Sequence, residues 1–482
     1  MWLINTNTFE LRMFNGPQNV PPYAILSHTW GNDEVTFQDI QQNLHLARTK
    51  AGFSKIEGTC YQALRHQIDW AWIDSCCIDK TSSAELSEAI NSMYSYYLLA
   101  RVCFVYLSDV PPSSASPPMG NMPSLARSRW FTRGWTLQEL IAPRRAIFYA
   151  SDWSRIGNKG LHRGEQPFIA AIAAITGVFE SVLSKTRSPR DYSIAERMSW
   201  AAARQTTRPE DLAYCVMGLF GVNIPVLYGE GLTHAFQRLQ HEIIRTSPDE
   251  TIFAWRVDPA QEFMDSHTGE RRRRALNSGL LADSPADFAR SRDVHQRALH
   301  RGSPFRLFSM TNMGISITAE LITLAAPGSP RPSPRASPSP GRPSPSPSVQ
   351  PPESNLVILP IGASDRPTDT GPRARVGLYL EPVLPAPALA LPSGSAPSAY
   401  SQVFYRRVRC DDFCFAPQPI GDFPRGHEQE IFVLEDEQFA EMRWADRPSS
   451  AGGGSPSIGG RLSLSPSASP RASPRLGTMD LT

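Results

Sequence analysis

Three polar stretches in the N-terminal third bring together residue types that can do chemistry. They are Ser27-His28-Thr29-Trp30-Gly31, Asp74-Ser75-Cys76-Cys77-Ile78-Asp79-Lys80, and Arg129 to Leu140, which includes Trp135-Thr136-Leu137-Gln138-Glu139. Trp135 and Glu139 are four residues apart in a segment that reads as a short helix, so they share a face. An aromatic plane beside a carboxylate suits a ligand with a flat cationic ring and a ribose. The carboxylate would stabilise a developing oxocarbenium ion or orient a ribose hydroxyl. A plainer reading stands beside this one: Trp135 in the core and Glu139 solvated, Ser27 capping a turn, His28 a satisfied loop histidine, and Asp74 capping Lys80 or a loop amide. Cys76 and Cys77 read as packing residues, with redox or nucleophilic chemistry as the alternative.

The surrounding elements decide whether these residues can meet. Tyr23-Ala24-Ile25-Leu26-Ser27 is an apolar run with the character of a buried strand. Phe53, Ile56, Cys60, Leu64 and Ile68 recur at helical spacing. Trp70 to Asp74 reads as a second strand ending in an acid, Ala84 to Leu99 as a helix, and Arg101 to Leu107 as a third strand. A short helix follows from about Thr132 to Ile141, stopping before Pro143, and then a fourth strand, Ala146 to Tyr149. Strands alternating with helices predict a parallel, doubly wound α/β sheet. Ligands of such sheets bind beyond the carboxyl ends of the strands, where Ser27 and Asp74 fall.

Beyond residue 155 the pattern changes. Phe168–Ile175, Ile194–Arg204, Asp211–Phe220 and Leu232–Arg245 predict helices. From Thr251-Ile252-Phe253-Ala254-Trp255 onward the runs are strand-like, including Gly314–Thr318, Asn355–Leu359, Val376–Leu380, Val403–Val408 and Glu430–Leu434. The expected organisation is an α/β domain over 1–155 with its core motif at 23–143, then a helical extension over 156–250. A β-rich domain over 251–446 and a disordered tail over 447–482 complete it. Of the 44 prolines, eleven lie between Pro327 and Pro352, so a Ser-Pro-Arg insert at 326–354 is expected to be disordered. Arg271–Arg274 reads as a solvated loop, with a nucleic-acid patch as the alternative.

Composition removes several functions. With 48 basic and 46 acidic residues the net charge is +2, which gives no global attraction to nucleic acid or anionic membrane. No apolar run approaches a membrane span, and the start lacks the layout of a signal peptide. Seven cysteines without framework spacing suit a reducing compartment. Phosphate-loop, dinucleotide-turn, zinc-protease and nucleophile-elbow motifs are missing, and no metal ligand set is evident.

The motifs Tyr23–Gly31, Glu34-Val35-Thr36-Phe37, Trp72–Lys80 and Arg133–Pro143 resemble, in order and spacing, the fungal heterokaryon incompatibility (HET) domain. Ala195–Trp200, Thr206–Cys215, Gly218–Val222 and Leu227–Gly231 are similar to the extension of many such proteins, so the resemblance covers roughly residues 1–255. It implies a cytoplasmic fungal effector of self/non-self recognition and programmed cell death, acting through self-association and either alone or under a separate sensor protein. The family is held to be distantly related to Toll/interleukin-1 receptor (TIR) domains. That relation implies a flavodoxin-like sheet, with NAD as a substrate and no bound cofactor. Enzymatic TIR domains of plant type carry a Trp-Cys-x-x-Glu-Leu helix, and Trp135 to Leu140 has that spacing with Thr136 in place of the cysteine. On this resemblance Glu139 is the catalytic residue, and Ser27, His28, Trp30, Asp74 and Trp135 line the substrate site. A non-enzymatic signalling module, using the same faces for oligomerisation, is the alternative. A transcription regulator fits less well, since no DNA-binding motif is present.

Overall fold

A computed structural model of the chain describes residues 1–112, 122–160, 165–257 and 279–296, with strand segments at 262–264 and 271–273 and others beyond residue 307. The first sheet contains β1 (Trp2–Asn5), β2 (Leu11–Met13), β3 (Ala24–His28), β4 (Trp70–Trp72), β5 (Val102–Tyr106), β6 (Ala146–Tyr149) and β7 (Arg155–Lys159), in the order β2-β1-β4-β3-β5-β6-β7. The four central strands, β4, β3, β5 and β6, run parallel. β1, β2 and β7 add antiparallel edges that the alternating pattern did not predict. Among the parallel strands the spatial order is second, first, third, fourth. The direction of winding therefore reverses between β3 and β5, which opens a crevice beyond their carboxyl ends.

Burial explains why these segments are strands. All five residues of β3 are buried, as a continuous apolar run must be when helices cover both faces. Those helices are α1 (Phe37–Gln42), α2 (Leu44–Ala47), α3 (Phe53–Arg65), α4 (Ser83–Leu99), α5 (Met122–Ala126) and α6 (Thr136–Ile141). α3 buries Phe53, Ile56, Cys60 and Ala63, three and four apart. Each large apolar side chain among them contributes about 2 kcal/mol. α4 starts at Ser82, whose hydroxyl accepts from the Glu85 amide. α6 follows a 3-10 turn at Arg129–Thr132, and all six of its residues are buried.

The extension holds α7 (Gln166–Thr176), α8 (Glu180–Leu183), α9 (Ile194–Ser199), α10 (Asp211–Tyr214), α11 (Met217–Phe220) and α12 (Gly231–Thr246). α9 opens with a capping box between Ser193 and Glu196. The single helix expected over Asp211–Phe220 is two short ones. The second packs so closely on α4 that a Cβ at Gly218 would lie 2.1 Å from Tyr94 Cβ. Thr251–Trp255, expected as a strand, is instead a 3-10 turn over Glu250–Phe253, because Asp249 accepts from the Thr251 amide and folds the chain locally.

Further on, β8 (Glu262–Met264) pairs with β9 (Arg271–Arg273), so these three arginines form a strand where a loop was expected. β10 (Val294–His295), β11 (Phe308–Thr311), β12 (Gly314–Glu320), β13 (Ile322–Thr323), β14 (Val357–Ser364), β15 (Ala374–Val383), β16 (Val403–Val408), β17 (Cys414–Pro417) and β18 (Glu428–Val433) make a nine-stranded sheet. Arg407 of β16 is buried, with its guanidinium 3.9 Å from the Trp255 ring and bonded to the carbonyls of Phe253 and Trp255. The insert at 326–354 and the tail at 447–482 lie outside the described residues. Among the described residues no helix is long and apolar enough to cross a membrane.

Candidate functional site

The site forms where β3 ends. Ser27 is the fourth residue of β3 and is fully buried. Its Oγ accepts from Trp130 Nε1 at 2.8 Å and donates to Glu139 Oε2 in a very short contact. Strand β3, the 3-10 turn and α6 therefore converge on one hydroxyl. Glu139 is only 7% exposed, which rules out the solvated-helix reading. Tyr97 of α4, whose hydroxyl donates to Leu26 O at 2.8 Å, stands beside the same carboxyl. Burial, followed by the negative charge of Asp74, raises the Glu139 pKa to about 8. The Ser27 and Tyr97 hydroxyls and the positive charge of Arg133 pull the other way without prevailing. At neutral pH Glu139 is thus a neutral acid.

His28 follows directly and is also buried. Neither ring nitrogen makes a hydrogen bond. Nδ1 lies 3.7 Å from Asp74 Oδ1, and Nε2 lies 3.7 Å from Glu34 Oε2. Asp74 Oδ1 is likewise without a hydrogen-bond partner, while its Oδ2 accepts from Trp30 Nε1 at 2.8 Å. Trp30 is 42% exposed and carries the Lys80 ammonium 3.5 Å from its ring centroid. Arg129 pins this loop from the other side, donating to Thr29 Oγ1 at 3.1 Å and to the Trp30 carbonyl.

Glu34 braces the base of the loop. It accepts from the Gly31 amide at 2.7 Å and pairs with Lys55, which also reaches Thr29 O at 3.1 Å. Burial alone would raise its pKa. His28, Lys55 and the Gly31 amide outweigh burial and bring it to about 2. His28 Nε2 stands 3.7 Å off, beyond hydrogen-bond reach, whereas Lys55 makes direct contact.

Ser27, His28, Trp30, Asp74 and Glu139 are thus brought together. Trp135 makes its side-chain hydrogen bond elsewhere: its Nε1 donates to Asp211 Oδ2 at 3.1 Å, against the helical extension. The indole that joins the Glu139 cluster is Trp130, five residues earlier. Sequence alone gives no role to Trp130, Tyr97, Glu34 or Arg129. Tyr97 is on the buried face of α4 with Ala89, Ile90 and Met93, where only its hydroxyl marks it out. Cys76 is fully buried, and its thiol pKa is raised well above normal by contact with Cys77 and by burial. That agrees with the packing reading. Among the described residues no group of His, Cys, Asp or Glu could hold a metal ion.

Residues 23–125 match the model of the heterokaryon incompatibility protein (HET) family, and residues 234–342 match a domain of unknown function, DUF8212. The vegetative incompatibility protein HET-E-1 of Podospora anserina is 41% identical over 274 residues, which is 55% of this chain and 19% of that protein. The chain thus spans about a fifth of that relative's length. No solved structure gives a significant match. With the motifs, the family match and this relative in agreement, the chain carries a HET domain over residues 23–125.

Proposed function

We propose that this chain acts in vegetative incompatibility as a cell-death effector whose HET domain cleaves the nicotinamide–ribose bond of NAD or a related nucleotide. The observation that carries this reading is a buried carboxyl, Glu139, hydrogen-bonded to Ser27 at the carboxyl edge of a parallel sheet, where the winding reverses. The order second, first, third, fourth is also that of flavodoxin-like sheets, which supports the TIR-like reading.

The chemistry follows from charge. A cationic pyridinium ring entering beside Asp74 favours ionised Glu139, whose proton leaves to solvent. The C–N glycosidic bond then breaks with its electron pair going to nicotinamide. The carboxylate stabilises the ribosyl cation until water captures it. Trp30 offers a stacking plane, and His28 and Ser27 contact ribose or phosphate. Such a site opens on self-association, in the cytoplasm, and a separate sensor supplies the trigger.

One observation favours a second reading, a non-enzymatic signalling module. Ser27 is fully buried and Glu139 nearly so, while Trp30 with Lys80 is presented outward as a contact patch. Inducing the full chain and its Glu139→Gln variant in yeast, with NAD and growth followed together, separates the two. The enzyme reading expects NAD to fall before growth arrest, and only with Glu139 present. Arrest at steady NAD overturns it, and loss of self-association in Glu139→Gln favours the module.

A further inference from the structure

Residues 126–233 lie between the two family matches, and they contain Glu139. α6, which carries it, has six residues. A helix that short does not hold itself together in water, so its position is set by whatever grips it.

The helical extension grips both ends. At the amino end, Gly134 N donates to Gln205 O at 2.8 Å and Gln205 N donates to Thr132 O at 2.7 Å. The Arg204 guanidinium is buried and donates to Arg133 O at 2.7 Å and to Thr136 Oγ1 at 2.9 Å. Trp135 donates to Asp211, which also accepts from the Tyr228 hydroxyl at 3.1 Å. The fit leaves no room at Gly134, where a Cβ would lie 2.5 Å from Thr206 Cγ2. At the carboxyl end, Lys185 donates to the carbonyls of Ile141 and Ala142. These carbonyls are the ones a helix leaves unpaired, and a cation suits them.

We infer that Arg204, Asp211 and Lys185 are positioning residues for Glu139, so that the extension belongs to the HET-domain site and the shortest acting unit runs past Asp211. This rests on the reading of Glu139 as the acting carboxyl.

The test uses the full chain with Trp135→Phe, Asp211→Ala, their double variant, and Asp211→Asn. Asparagine can still accept from Trp135 through its carbonyl oxygen while its amide faces the Tyr228 hydroxyl. Amide exchange is read over residues 134–142 and, as reference, over α7 and β5. Either single loss should speed exchange over 134–142 by about tenfold and leave the references unchanged. The double variant should be no faster than the singles, and Asp211→Asn should restore protection and growth arrest. Unchanged exchange, equal acceleration everywhere, or additive effects would overturn the clamp. Asp211→Ala that loosens the helix yet still arrests growth, where Glu139→Gln does not, would overturn the positioning role. Glu139→Gln that still arrests growth would instead overturn the proposed function, leaving the exchange result to be read by itself.

Discussion

α6 meets buried polar groups on two sides, and they are satisfied to very different degrees. Beyond its carboxyl end, Lys159 is wholly buried and spends its donors on backbone, reaching Leu140 O at 2.6 Å, Pro143 O at 2.7 Å and Ile141 O at 3.5 Å. Burial and then the neighbouring Lys185 push its pKa well down. At the β3 edge, His28 sits between two carboxylates with no hydrogen bond, and Asp74 leaves one oxygen unpaired. A buried polar group with every partner in place is architecture. A buried polar group without partners costs stability that a fold keeps only where something else uses the group. The difference directs attention to the β3 edge, not to the more deeply buried lysine.

The contrast can be broken by mutation. Lys159→Met strips this donor from the Leu140 and Pro143 carbonyls, Ile141 keeping Lys185, and should cost about 3 kcal/mol, read from the urea midpoint of the full chain. A loss under about 1 kcal/mol would mean those carbonyls find other donors. Gly134→Ala places a methyl against Thr206 and Cys215 and should cost about 2 kcal/mol. His28→Leu removes an imidazole that makes no hydrogen bond and should cost less than Lys159→Met, while abolishing growth arrest. A loss as large as that of Lys159→Met would make His28 architectural too and end the contrast.

The central strands and the major helices were legible because burial on both faces writes continuous apolar runs and spacings of three and four. β3 and α3 are examples. β1, β2 and β7 were not, since an edge strand of three to five residues carries little pattern: β7 reads Arg-Ile-Gly-Asn-Lys. Glu139, Ser27, His28 and Asp74 could be named because each stands at a strand end or in a recognisable motif. The hydrogen-bond partner of Trp135 was not legible: spacing along a helix gives a shared face but not which neighbour competes for the indole N–H, and Asp211 lies 76 residues away. Lys159 and Lys185 gave no signal, because a lysine bonded to carbonyls looks in sequence like any surface lysine.

The most direct test of the account is whether Glu139 is held as a neutral acid. Its pKa is about 8 in the folded chain against an ordinary 4.5. Between those values the folded chain keeps a proton that the unfolded chain has released, so stability must fall as pH rises. Unfolding free energies of the wild type and Glu139→Gln would be measured from pH 4 to 9, with Asp74, Tyr97, Arg133 and Arg204 intact in both. The account predicts that the wild type loses a few kcal/mol relative to the variant across about pH 4.5 to 8, after which the curves run parallel. Parallel curves over the whole range would mean that Glu139 titrates as an ordinary exposed carboxylate, and would contradict the account.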